Sequence, residues 1–244
     1  MCDCIIYAAG YSPAFSYCTQ ALKESGYTII SEPSMEATHL LLPVPSFTQD
    51  GSIIGGGNLH TLLTLLPEDI IVIGGNLDCP ELNDYVSIDL LNDPTYLALN
   101  AQITAHCAVK LALNQLPVTL NTCDVLIIGW GRVGKYLAQL LHQMGANVTV
   151  CARNKNDRSL LCALGYQTAT FKTVDLSKFR VIFNTVPVML FPSCPGNALK
   201  IDLASRLGMG SRDVIWARGL PGKDAPESSG ELIYETVTEI LGKE

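Results

Sequence analysis

The residues with the clearest chemical purpose are Gly129-Trp130-Gly131-Arg132-Val133-Gly134, three glycines at spacings of two and three. They follow the apolar run "DVLII" and precede "KYLAQLLHQM", whose apolar positions recur at helical spacing. In a strand–turn–helix context each glycine has a task. Gly129 permits the tight turn, Gly131 lets a pyrophosphate approach the backbone, and Gly134 lets helix and strand pack closely. The helix start adds free N–H groups and a positive dipole end. The whole stretch from Gly129 to Gly134, with Trp130, Arg132 and Val133, is therefore a candidate dinucleotide-binding loop. The competing reading is a packing turn in a Rossmann-like domain that holds no nucleotide.

A NAD site places an acid at the end of the next strand to accept from the adenosine ribose. Here "NVTVCA" runs into Arg153 instead, with Lys155 and Arg158 behind it. A carboxylate would repel a 2′-phosphate and a guanidinium would pair with it, so Arg153 points to NADP over NAD, NAD remaining possible. The alternative is a solvated loop charge.

Later strand ends add candidates. In "VIFNTVP", Pro187 stops a strand and leaves Asn184, Thr185 and Val186 where Rossmann cofactors lie; the alternative is a turn that caps itself. Asp202 and Ser205 occupy the next strand end, positioned for the nicotinamide ribose or the substrate, with Asp202 as a catalytic candidate. A structural Asp202 capping the following turn is equally consistent. Gly219-Leu220-Pro221-Gly222 reads as a tight turn open to the nicotinamide carboxamide, or as a plain turn. Among Arg206, Arg212, Arg218 and Lys223, Arg206 is the chosen partner for a substrate carboxylate. His106, as the residue type most often used for proton transfer, is a candidate proton acceptor or donor, set against a plain filler on a half-apolar helix.

The elements that must position these residues alternate. Strands are expected at Cys4–Gly10, Thr38–Pro45, Asp69–Gly75, Tyr85–Asp89, Val125–Gly129, Asn147–Ala152, Val181–Asn184, Leu199–Leu203 and Val214–Ala217. Ser12-Pro13 opens a helix carrying Ala14, Cys18, Ala21 and Leu22 on one face and ending at Gly26. Val133, Leu137, Leu140, Leu141 and Met144 form the sheet-facing side of the helix after the glycine loop. A long helix runs from about Pro94 to Leu116, and a last one carries Ile233, Val237, Ile240 and Leu241 on one face. Asp224-x-x-Glu227 or Ser228-x-x-Glu231 could cap that last helix. The expected architecture is α/β, with two Rossmann- or flavodoxin-like parallel-sheet domains joined by a long helix and a cofactor cleft between them. The division is 1–95, a connecting helix at 96–117, a nucleotide domain at 118–225 and a C-terminal helix at 226–244.

Bulk properties exclude other classes. The 244 residues are 48% hydrophobic and 16% charged, which suits strands buried on both faces and not disorder. A net charge of −7 without a basic stripe argues against a nucleic-acid partner. The odd count of nine cysteines reads as reduced thiols, Cys2 and Cys4 as strand-edge residues, and no metal site is expected. No apolar run reaches membrane-span length, so the expectation is a soluble, cytoplasmic protein without a membrane role.

Several segments together resemble one family. "LIIGWGRVGKYLA", "MGANVTVCAR", "VIFNTVP", "KIDLASRLG", "ARGLPGKDAPESSG", "LLLPVPSFTQDG" and "NAQITAHCAVKLAL" are similar to the A subunit of dipicolinate synthase. The resemblance covers most of the chain and is strongest from Asp124 to Gly230. It implies an NADP-dependent oxidoreductase that oxidises a dihydrodipicolinate-type ring to pyridine-2,6-dicarboxylate for the bacterial spore. It also implies a dicarboxylate substrate, a flavoprotein-like B subunit as partner and, by analogy with two-domain dehydrogenases, a homo-oligomer. It places Pro43, Ser46 and Gly51 on a cleft-side loop, where Ser46 would bind a carboxylate unless it caps its own loop, and puts Thr104 beside the substrate. The family's Pro-Thr-Ala-Glu-Gly becomes Ile103-Thr104-Ala105-His106-Cys107 here, so His106 replaces an acid. Ring oxidation removes a proton beside the departing hydride, which is the task open to His106. The same features leave two other readings: a non-catalytic NADP-binding or regulatory subunit, and a dehydrogenase for another small carboxylate.

Overall fold

The computed structural model describes residues 4–194, 196–210 and 212–242, so Cys2 lies outside the described residues. The chain forms two compact units, one of Met1–Asn100 with Pro221–Glu244 and the other of Ala101–Leu220.

The first unit carries β1 (Ile5–Ala8), α1 (Pro13–Glu24), β2 (Thr28–Ile30), β3 (His39–Leu41), α2 (Leu59–Leu63), β4 (Ile71–Gly74) and β5 (Ser87–Asp89). All strand pairs are parallel, in the order β2-β1-β3-β4-β5, which is the flavodoxin-like winding. The α1 start forms as its residue types dictate. Ser12 is extended and accepts from the Phe15 N–H at 3.2 Å, and Pro13 takes the first helical position. The helix buries Ala14, Phe15, Cys18 and Leu22, so Phe15 belongs to the buried face and Ala21 only flanks it.

The segment α3 (Pro94–Gln115) is the expected long helix, with Asp93 Oδ1 accepting from the Tyr96 N–H at 2.7 Å. The second unit then runs through β6 (Asp124–Ile128), α4 (Arg132–Gln143), β7 (Asn147–Cys151), α5 (Lys155–Ala163), β8 (Gln167–Ala169), β9 (Val181–Asn184), β10 (Leu199–Asp202) and β11 (Val214–Trp216). Its sheet is parallel in the order β11-β10-β9-β6-β7-β8. Numbered from β6, this is the Rossmann order, with its switch point between β6 and β9. Val125, Leu126, Ile127 and Ile128 are fully buried, as a doubly covered parallel strand requires. Leu137, Ala138 and Leu141 bury α4 against the sheet, whereas Met144 lies at the helix end and is 39% exposed.

The chain ends with α6 (Leu220–Asp224) and α7 (Pro226–Leu241). The last helix returns to the first unit and packs on α1, where a Cβ on Gly230 would overlap the Ala14 carbonyl and lie 2.5 Å from Tyr17 Cβ. Tyr234 Oη and Ser25 Oγ add a 2.7 Å hydrogen bond. It is thus part of the first unit, not an appendage to the second. Its N-cap position is Ala225, with no side-chain cap, and Pro226 begins the helix. Neither Asp224 nor Ser228 takes the N-cap position, because proline sets the start between them. Gly219-Leu220-Pro221-Gly222 also differs from the expected tight turn: Gly219 is left-handed at φ +65, and Leu220, Pro221 and Gly222 already belong to α6.

Candidate functional site

The glycine loop adopts the geometry its sequence demands. Gly129 sits at φ +106, a region that disfavours side chains, and a Cβ there would overlap Thr185 Oγ1 and lie 2.8 Å from Val186 Cγ2. Thr185 is held there because both its N–H and its hydroxyl donate to the Ile128 carbonyl, each at 2.9 Å. A Cβ on Gly134 would lie 2.6 Å from the Gly129 carbonyl oxygen, so this glycine allows α4 to close onto the turn. Gly131 is different. It is the N-cap of α4 at φ −81, offers no side chain to the helix, and a Cβ there meets nothing within 4 Å. Packing does not require a glycine at 131. Its smoothness keeps open the place where first-turn N–H groups lack intrahelical partners.

A cavity of about 440 Å³ lies beside this loop, entirely within the second unit. Gly129 and Trp130 line it from the loop; Ala152, Arg153, Asn154 and Asp157 from the end of β7 and the start of α5; Phe171 from beyond β8; and Val186, Val188 and Leu190 from beyond β9. It therefore spans the carboxyl ends of the strands, where Rossmann ligands bind. The Trp130 ring meets Tyr166 edge-on at 6.1 Å, and Lys135 Nζ lies 5.9 Å from its centroid.

The three cations after β7 separate in role. Arg153 is exposed and lines the cavity. Arg158 turns back, its Nη1 donating to the carbonyls of Ala152 at 2.8 Å and Arg153 at 2.7 Å. Lys155 is exposed as the first residue of α5, which Asn154 caps by accepting from the Asn156 N–H at 2.9 Å. The reading from residue types did not single out Asp157. The signal was available, since an acid three places after a capping Asn is placed on the first helical turn.

No protein-family model matches the chain. Among curated proteins, the A subunit of dipicolinate synthase from Bacillus subtilis is 27% identical over 162 residues, covering 59% of this chain and 54% of the relative. The sequence match thus spans about half the length of that relative. The solved A chain of dipicolinate synthase from Bacillus subtilis superposes with a TM-score of 0.81 at 19% identity, over 100% of this chain and 97% of that one. The solved counterpart from Bacillus halodurans gives 0.84 at 19% identity, over 98% of each chain. The chain resembles the dipicolinate synthase A subunit in sequence and in fold. Dehydrogenases are among the further matches in fold.

Several residues nominated for the site are built into the scaffold by their hydrogen bonds. Asp202 is fully buried, and its two carboxylate oxygens accept from the Ala204 N–H at 3.0 Å and the Gly208 N–H at 2.8 Å. That corrects the catalytic assignment: the carboxylate is spent clamping the loop after β10, the structural alternative. Asn184 is likewise fully buried, with Oδ1 accepting from the Val186 N–H at 3.1 Å and Nδ2 donating to the Val186 carbonyl at 3.0 Å. It is a self-capping strand end, not a side chain offered to a cofactor. Ser46 is fully buried, donates to the Pro43 carbonyl at 2.8 Å and accepts from the Gly75 N–H at 3.0 Å. Its hydroxyl fastens two loops and is not presented to a substrate carboxylate. Thr185 braces the glycine loop, while Val186 lines the cavity and Pro187 is exposed beside it.

Most of the remaining candidates keep accessible surface. Ser205 and Arg206 are exposed on the loop after β10, Gly219 is exposed, Pro221 half-buried and Leu220 buried. Arg218 lies over the Trp216 ring at 5.1 Å, which leaves Arg206 the freer of the two. His106 is exposed on α3 and Thr104 half-buried. His39 is a core residue, its Nδ1 2.8 Å from Thr38 Oγ1, while His142 sits at the exposed end of α4 with its ring edge-on to Tyr166 at 5.4 Å.

The first unit has a smaller cavity of about 230 Å³ at the carboxyl edge of its sheet, lined among others by Thr48, Gln49, His60, Asn76, Asp78 and Glu81. No lysine or arginine occurs between Lys23 and Lys110, so the loops around it contain no fixed cation. Asn76 there is left-handed at φ 60, held because Asp89 accepts from the N–H groups of Asn76 at 3.1 Å and Leu77 at 3.0 Å.

Proposed function

We propose that the chain is an NADP-dependent oxidoreductase of the same type as the A subunit of dipicolinate synthase, oxidising a dihydrodipicolinate-type ring to the aromatic dicarboxylate. The observation that carries the reading is Gly131. It is the one loop glycine whose backbone and surroundings would admit a side chain, yet it stands at the helix start beside the cavity. A residue kept free of atoms without a packing reason fits a ligand that must come close.

In this reading the pyrophosphate rests on Gly129–Gly134 and the 2′-phosphate on Arg153, with Trp130 and Val186 walling the cavity. The nicotinamide, when bound, supplies the hydride acceptor. The protein orients it through the loop that Thr185 braces, and the exposed His106 is the group available to take the ring proton. Fixed cations for a dicarboxylate come from outside residues 24–109, and Arg206 is the proposed one.

A second reading is a nucleotide-binding subunit that serves a flavoprotein-like partner without chemistry of its own. The commitment of the Asp202 carboxylate to two backbone N–H groups favours it, since that removes the nominated catalytic acid.

Calorimetry with NADP(H) and NAD(H) tests the first part. Gly131→Ala should fold with an unchanged Tm and bind NADP(H) at least about tenfold more weakly, because a methyl would occupy the phosphate approach. Unchanged binding by that variant removes the reading. Turnover of dihydrodipicolinate by the chain, alone and with a flavoprotein-like B subunit, then separates the enzyme from the accessory protein.

A further inference from the structure

The end of the nucleotide cavity beyond β7 carries charges of both signs. Arg153 and Asp157 line the same cavity, four residues apart across the turn from strand to helix. Asp157 is half-buried on the first turn of α5, and among the described residues neither side chain forms an ion pair with the other or with any third group. The turn between them is fastened by side chains: Arg158 donates to the Ala152 and Arg153 carbonyls, and Asn154 caps the helix.

An acid and a guanidinium at this place have opposite preferences. Ribose hydroxyls donate and are met by a carboxylate; a 2′-phosphate needs a cation and is repelled by a carboxylate. A site built for one nucleotide would carry one sign.

We propose that Asp157 is the ribose-binding acid missing from the end of β7, moved one helical turn onward, so that the site accepts both NAD(H) and NADP(H) and the pair Asp157–Arg153 sets their ratio. This rests on the dinucleotide reading of the cavity. NAD(H) is held by Asp157 accepting from the ribose hydroxyls while Arg153 swings to solvent. NADP(H) is held by Arg153 on the 2′-phosphate, against a standing repulsion from Asp157.

The test is titration of the wild-type chain and of Asp157→Asn, Asp157→Glu and Arg153→Ala with NADH and NADPH, read by calorimetry and by tryptophan emission, to which the cavity-lining Trp130 contributes, with Tm measured for each variant. Asp157→Asn is expected to weaken NADH by about tenfold, the scale of one charge-assisted hydrogen bond, and to leave NADPH equal or tighter. Arg153→Ala is expected to weaken NADPH and spare NADH, and Asp157→Glu to recover part of the NADH affinity. Equal affinities in wild type and Asp157→Asn, or an equal loss of both nucleotides, overturns the inference while leaving the dinucleotide site standing. A wild-type chain that binds neither nucleotide overturns the site and the inference together.

Discussion

Arg158 Nη1 donates to the Arg153 carbonyl at 2.7 Å and to the Ala152 carbonyl at 2.8 Å, so one arginine sets the backbone from which the other reaches the cavity. The two looked equivalent as neighbouring positive charges; one fastens the turn and the other lines the cavity. Arg158→Ala should therefore lower NADP(H) affinity by about tenfold without removing any phosphate contact, and reduce NAD(H) affinity less. Calorimetry on both nucleotides checks this; an equal loss would mean that Arg158 serves the fold alone.

Asp202→Asn should be strongly destabilising. An amide replaces one acceptor oxygen by a donor, which would face the N–H of Gly208 or Ala204 in a fully buried site. A loss of about 2–4 kcal/mol is expected, read as a fall in denaturation midpoint with an unchanged m-value. Unaltered stability would restore Asp202 to the list of functional groups.

Gly230→Val should cut stability by a similar order, about 2–4 kcal/mol. A side chain there runs into the Ala14 carbonyl and Tyr17 where α7 crosses α1. Chemical denaturation of this variant, with nucleotide binding measured in parallel, should show lost stability. The glycine loop lies in the other unit, so affinity below the transition should be retained.

The buried thiols make stability fall in alkali. Burial pushes Cys18 and Cys151 up to about 12, well above the ordinary thiol value. Above about pH 9 the unfolded chain releases these protons while the native state keeps them, so the unfolded state binds fewer protons and unfolding becomes easier as pH rises. The contribution is present below about pH 9 and is lost between there and about pH 12. Cys18→Ala, by removing one such group, should flatten the Tm–pH curve above pH 9. In the native state Cys162, which is exposed, should react with thiol reagents well before Cys18, Cys151 or Cys194.

What residue types and spacing could show was local. Ser12-Pro13 specified a helix start, the apolar runs specified buried strands, and the spacing of Gly129, Gly131 and Gly134 specified a loop, because each depends on neighbours in sequence. The short edge strands β2 and β8 escaped notice, since three half-exposed residues carry little period. The fate of polar side chains at strand ends was also beyond reach. Ser46, Asn184 and Asp202 have the types a binding site uses, and the same types fasten loops. Only the partners tell which, and Gly75, brought to Ser46 from 29 positions away, is not a neighbour in sequence. The glycine loop was legible because its conformation is carried by backbone; the roles of the polar side chains were not, because theirs are decided by contact.

The return of α7 to α1 also bears on how the protein comes to be folded. On the ribosome, the second unit has all of its residues once Leu220 has emerged, whereas the first is still without the helix that covers one side of α1. The notch into which Gly230 fits then waits open until the whole second unit has been made, and the earlier-made unit is the later one to be finished. A stalled or shortened nascent chain would present that uncovered side of α1 to chaperones, with the second unit already closed.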